Sequence, residues 1–360
     1  MDKVQKFRKK KVAMLLLYNG AGYQGLQKNP NAKTIESDLL DAMVDAGVIP
    51  KEGAEDPGTK ISFQRAARTD KGVSAAGQVV SMKIFIDVDS PVEKINKHLP
   101  DQIRVIGIKR VTQGFNSKNH CVARTYLYVI PTLAFCPVEK VVREDFRITD
   151  DIIAKVRSVL EQYKGTHNFH NFTSGKKPEE ASAKRYIMEF SMGEPYVRDG
   201  LEFAVMTVKG QSFMIHQIRK MIGIAIAIVR GLASEDAISR AWGHDKFDVP
   251  IAPSLGLLLD KLHYDAYNRK YGNDGMHVPV SWDEYSDVIE KFKEEDIFSV
   301  IYRTEKKKRK MLAWMSTLHL HTFDEAKMTA AGVQRETSEM HKAFMNVREV
   351  RKEKANSVRL

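Results

Sequence analysis

The 360-residue chain has only two cysteines, Cys121 and Cys136, and no C-x-x-C pair. This excludes a disulfide-stapled scaffold and a thiolate zinc site of the usual spacing, and it fits a reducing compartment. No run of about 18 apolar residues exists to span a bilayer. The longest, residues 221–229, is interrupted by Gly223, so no membrane partner is expected. The first eleven residues lack the apolar core of a signal peptide and the Ser/Arg amphipathicity of a mitochondrial transit peptide, and export is not expected of this sequence as written. Acidic residues are also in deficit: 57 Lys and Arg stand against 46 Asp and Glu, a net charge of +11 that points to a polyanionic partner. Two basic runs, residues 8–11 and 306–310, have the composition of nuclear-import clusters or RNA-contacting patches, and equally that of solvated helix faces.

The stretch richest in chemical signal is Arg65-Ala66-Ala67-Arg68-Thr69-Asp70-Lys71-Gly72-Val73-Ser74-Ala75-Ala76-Gly77. Asp70 is flanked by Arg65, Arg68 and Lys71, and neighbouring positive charge favours an ionised carboxylate, which suits a nucleophile better than a general acid. Gly72 permits a sharp turn or a close backbone approach. Residues 61–67 and 78–86 read as strands, so Asp70 is expected at a loop tip held at both ends. A plain strand connection with solvated charges explains the composition as well.

Around this stretch, residues 12–18 read as a buried strand that leads into Gly20-Ala21-Gly22-Tyr23-Gln24-Gly25, a G-x-G-x-x-G match. A dinucleotide fingerprint needs its third Gly at the opening of a helix. Here Asn29-Pro30-Asn31 intervenes, helical spacing begins only near Thr34, and no such cofactor is expected. Helices are expected from Thr34 to Gly47 with Ile35, Leu39 and Met43 on one face, over 91–99 capped by Ser90, over 150–162, and over 213–230 capped by Ser212. Strands are expected over 103–111, 123–130, 185–192, 201–208 and 252–259. His167 and His170 tempt a metal reading, but no carboxylate or thiol adjoins them, and packing or RNA contact is favoured. Asp87 and Asp89 could serve a metal nuclease, although a solvated strand end is the better reading. The domain divisions expected are a basic tail over 1–11, α+β regions over 12–114 and 115–268, and a helical extension with a charged tail over 269–360, of which 326–360 has a composition typical of a lone helix or partial disorder.

Four motifs and a closing element together carry a family resemblance over roughly 12–268. Arg68-Thr69-Asp70-Lys71-Gly72-Val73 resembles the R-T-D-x-G-V active-site loop of the tRNA pseudouridine synthase A family, in its eukaryotic multisite form. Tyr18-Asn19-Gly20 with Tyr23-Gln24-Gly25-Leu26-Gln27 resembles that family's Y-D-G-x-x-Y-x-G-x-Q signature, with Leu26 where bacterial members usually carry Trp. Ala123-Arg124-Thr125-Tyr126 resembles A-R-x-Y, and the segment from Phe213 through Arg219 to Gly223 resembles F-x-x-x-x-x-R-x-x-x-G. Ala252 to Leu259 is similar to the closing P-x-x-G-L-x-L element.

The resemblance implies an α+β fold of two subdomains sharing a continuous, mainly antiparallel sheet around a central RNA-binding cleft, with a C-terminal helical extension. It implies an isomerase that turns uridine into pseudouridine in tRNA, and in other structured RNAs such as snRNA or mRNA, with no cofactor and no metal. Asp70 would be the essential carboxylate, Tyr126 would pack on the target base, Arg219 would pair with Asp70, and Arg68 would meet a phosphate or the gap left by a flipped base. Two further classes stay open, a non-catalytic RNA-binding protein and a nucleoside hydrolase. Residence in the nucleus is expected from the basic runs, with a mitochondrial form if an alternative start added a leader; oligomeric state is left open.

Overall fold

The computed structural model describes residues 9–85 and 88–323; Arg8, Asp87 and the 326–360 tail lie outside them. Ten strands occur among the described residues: β1 (Lys9–Tyr18), β2 (Gln64–Arg65), β3 (Ser74–Phe85), β4 (Ile103–Arg110), β5 (Ala123–Pro131), β6 (Gly165–Asn168), β7 (Lys184–Met192), β8 (Tyr196–Arg198), β9 (Leu201–Gly210) and β10 (Leu257–His263). Their hydrogen-bonded order is β4-β1-β3-β10-β5-β9-β7-β6, with β2 on β3 and β8 on β9. β1 runs antiparallel to β3 and β4, and β10 antiparallel to β5, while β10 meets β3 in a short parallel ladder. The fold is thus α+β with a mainly antiparallel sheet and a helical C-terminal region, as the sequence implies.

The chain forms two compact units, one from the described parts of 1–129, 207–212 and 254–303, the other from 130–206, 213–253 and 304–323. In the first, β1 and β3 are buried along most of their length, and in β1 this matches a continuous apolar run over 12–18. The helix Ile35–Asp45 opens at Thr34, whose side chain accepts from the Ser37 N–H, and buries Ile35, Leu39 and Met43 as their spacing predicts. The short helix Pro91–His98 starts differently from expectation. Ser90 sits in a left-handed conformation (φ 46°) and makes no side-chain cap, which leaves Pro91 with its preset φ to open the helix.

In the second unit the main helix is Gln217–Arg230, four residues shorter than the spacing of 213–230 predicts, and Ser212 does not cap it. His216 adopts a left-handed φ of 62°, and the Gln217 side chain accepts from the Met214 N–H at 2.9 Å, so the helix cannot extend upstream. The helix Asp150–Glu161 packs beside it, and the buried Tyr163 hydroxyl donates to the Met221 carbonyl at 2.9 Å. The hairpin expected between β7 and β9 contains a further strand: β8 pairs with β9 across Asp199-Gly200, both at positive φ, a dipeptide suited to a two-residue turn.

The C-terminal region carries a buried acid. Glu305, 6% exposed, accepts from the Met311 N–H at 3.0 Å, and burial lifts its carboxyl to about 7 despite the downward pull of the Met311 and Lys310 backbone and the Lys310 charge. The folded state therefore holds this proton more tightly than the unfolded chain. The stabilisation is complete below the ordinary value of 4.5 and is lost as pH rises through about 7. Between those limits the unfolding free energy is expected to fall by up to about 3 kcal/mol. Glu305→Gln keeps an oxygen for Met311 but has no proton to lose, so denaturant titrations of the variant at about pH 5 and pH 8 should lack this component. An undiminished slope in the variant would contradict the assignment.

Candidate active site

The Asp70 loop emerges where a sheet ladder gives way to side-chain bonds. The strand expected over 61–67 is only Gln64–Arg65, because Ser62 turns left-handed (φ 51°) before it. Ala66 N–H still reaches Val79 O at 3.0 Å, but Ala67 is gripped by the fully buried Gln78 side chain, which accepts from its N–H at 3.3 Å and donates to its carbonyl at 2.9 Å. From Arg68 the backbone is free of the sheet. It rejoins at Ser74, where β3 starts four residues earlier than its apolar alternation predicts.

Within this gap the loop is held by its neighbours. The buried Thr69 hydroxyl bonds the Tyr18 hydroxyl at 2.8 Å, and its carbonyl accepts from Leu26 N–H at 3.2 Å. Burial pushes the Tyr18 phenol up to about 12, against the bonds to Thr69 and Gln78, so it stays protonated at neutral pH. Val73 N–H closes a turn on Asp70 O at 3.1 Å, with Gly72 at φ +75°, where a side chain would be strained.

Gly20 and Gly25 explain the G-x-G-x-x-G match without a phosphate. Gly20 N–H donates to Ser74 Oγ at 3.0 Å, and a Cβ there would lie 2.3 Å from Val73 O. A Cβ on Gly25 would lie 2.8 Å from Thr69 O. These glycines let one loop press directly on the other.

Asp70 is half-buried on this turn, with Arg68 and Lys71 exposed beside it. Arg65, which the sequence places among the cations around Asp70, instead forms a two-pronged pair with the buried Glu36 at 3.0 and 2.7 Å. Tyr126 is brought close through the sheet: Leu259 of β10 is aligned with Ala75 of β3 and with Tyr126 of β5. Burial raises the Tyr126 phenol well above its usual range. Arg124 opposes this, and the charges of Tyr18, Cys121 and Asp70 add to it. The first unit thus joins Arg68, Asp70 and Tyr126 in one region. The strand that carries Tyr126's partner starts at Leu257 and not at 252, since Ala252 has both backbone groups engaged by Arg219.

Arg219 lies in the second unit, in the first turn of the helix Gln217–Arg230. Its Nε donates to Ala252 O at 2.6 Å and its carbonyl accepts from Ala252 N–H at 3.1 Å, which fixes the direction of the guanidinium. Gly223 permits the approach, since a Cβ there would stand 2.2 Å from Pro250 O. The two histidines join packing: His167 stacks on Trp242 at 3.8 Å with planes 4° apart, and the buried His170 has its Nδ1 at 3.2 Å from Asn168 Oδ1.

Residues 159–265 match the profile of the family described as tRNA pseudouridine synthase. A human protein named pseudouridylate synthase 1 homolog is 52% identical over 325 residues, covering 89% of this chain and 76% of its own length. A mouse protein of the same name is 51% identical, covering 91% and 78%. The tRNA pseudouridine synthase 1 of Yarrowia lipolytica is 35% identical, covering 88% and 75%. The chain belongs to the tRNA pseudouridine synthase family. It is accordingly an isomerase.

Among the residues around the synthase loop, Arg124 was not singled out by sequence reasoning. Its Nη2 donates to Ala66 O at 3.0 Å and its Nη1 to Gln211 O at 2.8 Å, clamping the point where the loop leaves the sheet. The signal was present, since Arg124 is the Arg of A-R-x-Y. The basic runs are partly structural. Lys11 lies in β1, donates to Ser62 O at 2.7 Å, and has its amine lowered to about 8 by burial and Lys83. Arg309 pairs with Glu144 at 2.5 Å, and Lys306 donates to Asp199 O at 2.7 Å.

Proposed function

We propose that this protein converts particular uridines of tRNA to pseudouridine, with Asp70 as the essential carboxylate and no cofactor. The observation that carries the reading is the mounting of Asp70, on a turn braced by Tyr18, Gly20, Gly25 and Gln78 with Tyr126 nearby. The names of the similar proteins support tRNA as substrate. The reaction breaks the bond between uracil N1 and the ribose, turns the base, and joins C5 to the same sugar carbon, while the C5 hydrogen leaves as a proton and N1 takes one up. It requires a fixed carboxylate, a base held against a flat surface, and a site that keeps water out while the glycosidic bond is open.

Asp70 supplies the carboxylate, acting on the sugar or the uracil. Tyr126 packs on the target base. Arg219 serves as the cation for Asp70. Arg68, exposed on the loop, meets a backbone phosphate or fills the space of the flipped nucleotide, a move that costs a few kcal/mol of unstacking. The net charge of +11 provides phosphate affinity. Other structured RNAs, snRNA and mRNA among them, are read as further substrates, and the exposed lysines of 306–310 as a nuclear-import signal.

Incubation with unmodified tRNA, followed by chromatography of the digested RNA, tests the reading. Pseudouridine should replace uridine at discrete positions. Release of free uracil would instead make the protein a hydrolase, and retained tRNA with unchanged uridine would make it a non-catalytic binder.

A further inference from the structure

Between the helices Ser286–Phe292 and Ser299–Lys308, residues Lys293–Phe298 form a π-helical turn. Such turns are rare and recur at functional sites; they widen the helix and draw its carbonyls off the regular ladder, opening them to outside donors. Here the outside donor is Asn19, whose Nδ2 donates to the Asp296 carbonyl. Asn19 is 6% exposed, and its Oδ1 accepts from the Ala21 N–H at 2.9 Å. Its backbone is bound by Gln102, whose carbonyl accepts the Asn19 N–H at 2.9 Å. The next residue is Gly20, which presses on Val73 and bonds Ser74.

The same turn also reaches the strand that follows the loop. Lys293, 7% exposed, donates to Asp260 Oδ1 at 2.8 Å and pairs with Glu290 at 2.6 Å. The Asp260 carbonyl lies where a Cβ on Gly77 would stand, 2.0 Å away, so β10 and β3 touch backbone to backbone three residues past Ser74. One helical irregularity therefore holds two segments, at Asn19 and at Asp260, that both press on the chain where it leaves the Asp70 turn.

We propose that the Lys293–Phe298 turn is a positioning device for the Asp70 loop and that Asn19 is its positioning residue. This rests on the reading that Asp70 carries the chemistry. The side-chain amide at position 19 is required as a donor. It faces a carbonyl at the wall of a cavity of about 280 Å³ that Asp101, Glu295, Asp296 and Arg303 also line, with Arg104 near Asp296. An acid at position 19 adds charge to a group of three carboxylates, and only its protonated form can donate to Asp296 O.

The test is single-turnover conversion of unmodified tRNA, with tRNA affinity and melting temperature measured on the same full-length samples. Asn19→Ala should slow conversion by about 10- to 100-fold, the cost of displacing a reacting group by roughly 1 Å, while tRNA affinity stays within about twofold. Asn19→Asp should be at least as slow near pH 8 and should recover several-fold relative to wild type at the same lower pH, as its carboxyl gains a proton. An Asn19→Ala rate within about twofold of wild type overturns the proposal. So does an Asn19→Asp deficit that stays constant with pH, or a rate loss matched by an equal loss of affinity. If wild type makes pseudouridine and Asp70→Asn does not, these failures belong to the positioning role alone. A wild type that makes none overturns the functional reading and the inference with it.

Discussion

Asp70→Asn is expected to bind tRNA as wild type does and to make almost no pseudouridine. The substitution keeps the shape of the side chain and removes its charge and nucleophilicity. The loop should survive it, since its fixed points are the Tyr18–Thr69 bond, the Gln78 grip on Ala67, and the Asp70 backbone carbonyl that accepts from Val73. Affinity should survive as well, because phosphate contacts of a basic surface supply most of it. Loss of a group that takes part in bond making typically costs on the order of 10⁴-fold or more in rate. Single-turnover assays beside filter binding separate the two effects, and a rate near wild type would remove Asp70 from the chemistry.

Arg219→Ala should produce the second largest loss. As the proposed cation for Asp70, its removal leaves a half-buried carboxylate without its counter-charge in a site that must exclude water. Loss of one such electrostatic group typically lowers conversion by roughly 10²- to 10³-fold. Arg219→Lys should restore only part, because lysine has no Nε to donate to Ala252 O and cannot reproduce the planar fork aimed by that bond. Adding Arg219→Ala to Asp70→Asn should cost little further, as residues that act as one unit are non-additive. Near-normal conversion by Arg219→Ala, or full additivity in the double variant, would show that the two do not work together.

What could be read in advance follows from what acts locally. The buried β1, the Thr34-capped helix and the Asp70 turn were legible because apolar runs, a capping hydroxyl and a glycine after the acid act within a few residues. Several boundaries and one cap differ for reasons that local spacing does not carry. Gln78 displaced the ladder at Ala67, His216 and Gln217 delayed the second helix, Ser90 turned left-handed, and Arg219 kept Ala252 out of β10. The site was legible as residue types in order. The partners of the charges were not, since Arg65 belongs to Glu36, 29 positions away, and Asn19 to Asp296, 277 positions away. No periodicity in the sequence marks the π turn that receives Asn19.

The measurement closest to the central claim uses tRNA labelled with tritium at uridine C5. Joining C5 to the sugar carbon expels that hydrogen, so wild type should release one tritium to water for each pseudouridine formed, with no free uracil, and Asp70→Asn should release none. Tritium retained in the RNA, or uracil set free with its label intact, would contradict the account.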